Sequence, residues 1–129
     1  EILLGIRAVC GETRNRLTGA SIILQGFYPR NSGREGTAER IASINLRLEA
    51  LATEQGFFYT EPGRLMADES GRVPAELSSD GLHPSASGYE RIASVLAPVI
   101  RRAAEERKND TAKKPSSPSG VSVIEPPTE

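Results

Sequence analysis

The chain's only histidine, His83, stands three residues after Asp80 in the run Ser78-Ser79-Asp80-Gly81-Leu82-His83-Pro84-Ser85. These are the residue types that proton transfer at a hydroxyl requires: a neutral imidazole takes the proton, and a carboxylate on its other nitrogen fixes the tautomer. Gly81 lets the backbone fold back through a positive φ, and Pro84 biases His83 toward an extended conformation. The spacing therefore predicts an Asp80 carboxylate curled onto the near ring nitrogen, with the far nitrogen directed at the edge of a sheet. A surface turn with a helix cap is the competing use of the same residues. Metal binding by the pair is disfavoured, because catalytic zinc takes three protein ligands and the chain offers one histidine and one distant cysteine, Cys10.

The elements that must carry such a turn follow from the apolar periodicity. Ile2, Leu3, Ile6, Val9, Cys10 and Leu17 recur at helical spacing, so Glu1 to about Leu17 is expected to be a helix ended by Thr18-Gly19. Ala20 to Phe27, with Ile22-Ile23-Leu24 at its centre, has the continuous apolar character of a strand buried on both faces, which parallel sheets produce. The Pro, Asn, Ser and Gly of Tyr28 to Gly36 predict a loop. Thr37 to Ala52 then places Ile41, Ile44, Asn45, Leu48, Leu51 and Ala52 on one helix face.

Gly56 to Thr60 reads as a second buried strand, and Glu61 to Ser79 as a long loop with little periodicity that delivers the Asp80 turn. Ser87 and Glu90 have capping-box spacing for a last helix, with Ser85 an equal candidate cap. Its apolar stripe is Tyr89, Ile92, Ala93, Leu96 and Ile100, and Pro98 is expected to kink or restart it. From Asn109 the composition turns to Pro, Ser, Lys and Glu, predicting a disordered tail over 109–129, with docking of the Val121–Ile124 patch as an edge strand the competing reading.

Helix, strand, helix, strand, helix is the order of an α/β unit with parallel crossovers. Two strands are too few for a covered parallel sheet, so the chain is expected to be the C-terminal part of a larger three-layer α/β/α domain. It begins at Glu1 rather than at Met, inside a helical pattern, and any targeting signal is expected upstream. Ile2-Leu3-Leu4 is too short for a signal peptide or a membrane span.

In its 129 residues, 37% apolar, the net charge is -1 and no block of like charge occurs, which argues against nucleic acid or anionic membranes as partners. The single cysteine excludes an intramolecular disulfide and leaves the compartment open.

The Asp80-Gly81-Leu82-His83-Pro84 run, followed by Gly88-Tyr89 and an amphipathic helix, resembles the last conserved block of the SGNH, or GDSL, hydrolases, in which an Asp-x-x-His-Pro turn supplies the acid and base of a serine esterase. Gly26-Phe27-Tyr28-Pro29-Arg30 is similar to the Gly-x-x-Pro-Arg of members related to platelet-activating-factor acetylhydrolase subunits. The order of elements over Glu1 to Ile100 is similar as well.

The resemblance implies a flavodoxin-like α/β fold, with residues 1–108 as the C-terminal part of the esterase domain. It also implies an ester-hydrolase activity with Asp80 and His83 catalytic and no cofactor, and a small ester substrate such as an acetylated carbohydrate or lipid. Arg30 is expected to be a solvated loop charge, and Asn45 a helix-face amide.

The family's nucleophile lies in a Gly-Asp-Ser block, and part of its oxyanion hole in a Gly-x-Asn-Asp block. Neither occurs in these residues; the sole Asn-Asp pair, Asn109-Asp110, follows Lys108 and lacks the glycine. The chain by itself is therefore expected to be inactive, since losing both the nucleophile and the oxyanion donors removes orders of magnitude in rate. The alternative is a non-catalytic remnant or interaction module with the same half-fold.

Overall fold

A computed structural model describes residues 1–113, with side chains as far as residue 109. Its elements are α1 (Ile2–Arg16), β1 (Ile23–Gln25), α2 (Thr37–Gln55), β2 (Phe58–Thr60), a short 3-10 turn (Pro62–Leu65) and α3 (Ala86–Lys113). The two strands pair in parallel, Ile23 opposite Phe58, Leu24 opposite Tyr59 and Gln25 opposite Thr60. The ladder is shorter than the apolar run around it, because a strand is defined only where a partner exists to bond. Phe58 N–H to the Ile22 carbonyl and Gly26 N–H to the Thr60 carbonyl continue the pairing at either end.

The period-two alternation of the strands divides the molecule into layers. Leu24 and Tyr59 face α1 and α2, where Cys10, Leu24, Leu51 and Ala52 form a buried cluster edged by Ile6, Ile22 and Phe57. On the other face α3 crosses the strands. The Arg102 guanidinium lies 5.7 Å from the Phe58 ring centre, and the Ser21 hydroxyl donates to the Ala103 carbonyl at 3.1 Å. This is a partial α/β domain with helices on both sides of a small parallel sheet.

The segment 61–79 is more structured than its lack of periodicity suggests. Met66, Val73 and Leu77 pack on Ile92 of α3 beneath Tyr28, a cluster assembled from irregular backbone whose burial leaves no helical or strand period. Leu77 is 1% exposed.

Ser85, not Ser87, caps α3: its hydroxyl accepts from Gly88 N–H at 3.2 Å while donating to the Glu76 carbonyl at 2.6 Å. Gly88 has to be glycine, since a Cβ there would sit 2.4 Å from the Leu77 carbonyl oxygen. Pro98 lies within one continuous helix, which neither restarts nor ends there. Tyr89 and Ile100, expected on the apolar stripe, are 61% and 49% exposed. α3 extends to Lys113, beyond the expected boundary at 108. The rest of the tail expectation, including the Val121–Ile124 patch, lies outside the described residues.

Candidate active site

The Asp80–His83 turn is held from inside by its own carboxylate. Asp80 Oδ1 accepts from the backbone N–H groups of Leu82 at 2.9 Å and His83 at 2.8 Å, and from the Ser78 hydroxyl at 3.1 Å. An aspartate that bonds the backbone two and three residues on makes a local turn without help from the sheet. The second oxygen, Oδ2, is then free to meet His83 Nδ1 at 2.7 Å. With Nδ1–H donating to the carboxylate, Nε2 becomes the basic nitrogen. It has no partner among the described residues, and the His83 side chain is 79% exposed.

The charge state of Asp80 follows from these contacts. The hydrogen bond from the His83 ring, then the backbone N–H groups of His83 and Leu82, hold the Asp80 carboxyl well below the usual carboxylate range. Asp80 thus stays ionised wherever a histidine can act as a base. Gly81 makes the reversal with φ of 69°, a backbone region that other residues enter at a cost.

The turn is placed by residues far away in sequence. Asn31, in the loop after β1, donates from its backbone N–H to the Gly81 carbonyl at 2.9 Å. Its side chain donates from Nδ2 to the Val73 carbonyl at 2.7 Å and accepts on Oδ1 from Val73 N–H at 2.8 Å. No motif singles out Asn31, which in sequence is one polar residue of a Pro-Arg-Asn-Ser-Gly loop.

Asn45 and Arg30 stand elsewhere. Asn45 is 3% exposed. Its amide clamps Phe27 by accepting from the backbone N–H at 2.7 Å and donating to the carbonyl at 3.0 Å, and it also donates to Glu61 at 3.0 Å. It is a helix-face amide, as expected, and a buried brace between α2 and the loop after β1. The signal that could have found it is a lone polar residue within an otherwise apolar helix stripe. Arg30 is exposed, as expected, and borders an open cavity of about 210 Å³ beside Phe27, Pro29 and Ile41.

Several of the available hydroxyls are already engaged. Ser70 donates to Asp68, Ser78 to Asp80 and Ser85 to Glu76. Among the described residues no three His, Cys, Asp or Glu side chains gather as a metal site would require, and no helix is long and apolar enough to cross a membrane.

Residues 2–91 match the sequence profile of the GDSL-like lipase/acylhydrolase family, and the chain belongs to that family.

Among solved structures, it is similar to the esterase domain of the ZfL2-1 ORF1 protein from the zebrafish ZfL2-1 retrotransposon. The two are 22% identical with a TM-score of 0.68, over 78% of this chain and 58% of that one. A GDSL-like lipase from Bacteroides thetaiotaomicron is also similar, at 22% identity and a TM-score of 0.66, over 77% of this chain and 51% of the other. At such identities the likeness is one of fold. The chain spans about half the length of these structures. No curated protein sequence matches it.

Proposed function

We propose that Asp80 and His83 are the acid–base pair of a serine ester hydrolase, and that residues 1–108 form the C-terminal part of its catalytic domain. The observation that supports this best is the 2.7 Å contact between His83 Nδ1 and Asp80 Oδ2, made while three donors hold the other carboxylate oxygen. That arrangement orients the imidazole and leaves Nε2 open.

In the reaction a serine Oγ attacks the ester carbonyl carbon while His83 Nε2 takes its proton. The tetrahedral oxyanion then collapses, the bond to the alcohol oxygen breaks, and the imidazolium returns the proton to that oxygen. Water repeats the sequence on the acyl-enzyme, releasing a carboxylic acid and the free serine. Asp80 stabilises the imidazolium without taking its proton.

The serine and the oxyanion donors come from blocks that these 129 residues do not contain. The substrates are small acyl esters, including acetylated carbohydrate or lipid.

The chain alone should hydrolyse nitrophenyl acetate no faster than an Asp80→Ala/His83→Ala double variant; saturable turnover lost in that variant would mean that a serine of this chain acts as nucleophile. Joined to an N-terminal half bearing Gly-Asp-Ser and Gly-x-Asn-Asp, it should be active. His83→Ala should then lower kcat by about 10² to 10⁴-fold without loss of fold, because the exposed ring contributes little packing. Unchanged kinetics in that variant would sink the assignment.

A further inference from the structure

We infer that Asn31 is the positioning residue of the Asp80–His83 turn. The inference rests on the pairing of Asp80 with His83 proposed above. The turn makes its own internal hydrogen bonds, all between Ser78 and His83, and the Asp80 and His83 side chains are exposed; a contact from outside must also hold it against the sheet if the pair is to keep its alignment.

Asn31 bridges the two. Its side-chain amide pairs with both backbone groups of Val73, as a neighbouring peptide group would in a ladder. Val73 is 5% exposed and belongs to the cluster with Met66, Leu77 and Ile92, so the anchor is a buried part of the loop layer. The main chain of Asn31 then holds the Gly81 carbonyl at 2.9 Å.

The fit is also steric. A Cβ on Gly81 would lie 2.5 Å from the Cβ of Asn31 and 2.7 Å from its Nδ2, so Asn31 fills the space that a side chain at the turn's apex would need. One residue therefore ties the loop after β1, a buried core segment and the apex between Asp80 and His83. If that tie loosens, the turn can tilt on its two flanks, and the imidazole loses its fixed direction before the fold is lost. Active groups must be held to within about 0.5 Å by such supports to be productive.

The test uses the whole chain, in which His83 is the sole histidine and gives a single pair of imidazole nitrogen signals. Long-range proton–nitrogen correlation spectra of the neutral ring should show the Nδ1–H tautomer in the wild type, because the partner of one ring nitrogen sets where the proton sits. Asp80→Asn should remove that preference.

Asn31→Ala should shift the ring to a tautomer mixture while the amide spectrum stays that of a folded protein. Asn45→Ala removes a comparable clamp on the same loop, at Phe27, and should leave the tautomer unchanged. If Asn31→Ala does not fold, Asn31→Ser, whose hydroxyl can meet one of the two Val73 groups, should give a partial shift.

A wild-type tautomer ratio in a folded Asn31 variant would overturn the role, as would an equal shift in Asn45→Ala. A wild-type chain with no Nδ1–H preference would overturn the Asp80–His83 pairing itself, and with it the reading on which this role rests.

Discussion

The loop layer around α3 and the outer face of α1 differ in closure, although both are rich in apolar residues. Met66, Val73, Leu77 and Ile92 are each at most 8% exposed, and the segments bearing them are tied by Asn31, Ser85 and the Asp80 turn. On α1, Ile2, Leu4 and Val9 are 54%, 71% and 66% exposed, and only Cys10 is buried. The Asp80–His83 turn thus rests on a layer closed within this chain, whereas the α1 side presents apolar surface of the kind that a neighbouring element covers.

Leu77→Ala should destabilise the chain by about 2–5 kcal/mol, since it opens a cavity in the enclosed cluster. Val9→Ala should change stability by less than about 0.5 kcal/mol, since the residue is mostly in water already. Urea unfolding of both variants measures the contrast; equal losses would show that the α1 face is covered, for instance by self-association.

Gly81→Ala tests the same layer at the turn. The positive φ should cost about 1–3 kcal/mol, and the clash with Asn31 should add to it. A thermal melt matching wild type would show that the apex is looser than its contacts imply.

The smallest effect sits between the two regions, at Tyr59. Burial first, then the charge of Glu61, pushes its phenol from the ordinary value of 10.0 up to about 12. The folded state therefore holds this proton more tightly than the unfolded chain. The associated stability is complete below about pH 10 and is lost as pH rises toward about 12. Tyr59→Phe should flatten that alkaline decline. An unchanged alkaline slope in the variant would assign the decline to other groups.

The site was legible in sequence to the extent that it is local. Asp80 and His83 are three residues apart, so a short carboxylate side chain, a permissive glycine and a following proline are enough to predict the curl onto Nδ1. The supports were not legible for the opposite reason. Asn31 reaches Val73 across 42 residues, and nothing in its polar loop announces that partner; Asn45 reaches Phe27 across 18, and its place in an apolar helix stripe marks it as enclosed without naming what it meets.

The helices followed their apolar periods to within a few residues at the ends. The cap of α3 went to Ser85 because the Glu76 carbonyl and Leu77 lie beside it, a neighbourhood that capping-box spacing does not encode.

Residue type and short-range spacing by themselves determined that this is an α/β chain with a parallel-type pair of strands, and that one carboxylate and one imidazole meet in a single turn, since periodicity and i to i+3 contacts are written within a few residues. Only the tertiary structure decided which apolar residues are enclosed and which stay bare, and which loops the amides of Asn31 and Asn45 clamp. Burial and hydrogen-bond pairing across dozens of residues depend on where the chain returns in space, and the entropy of that return is repaid by packing that no local pattern records.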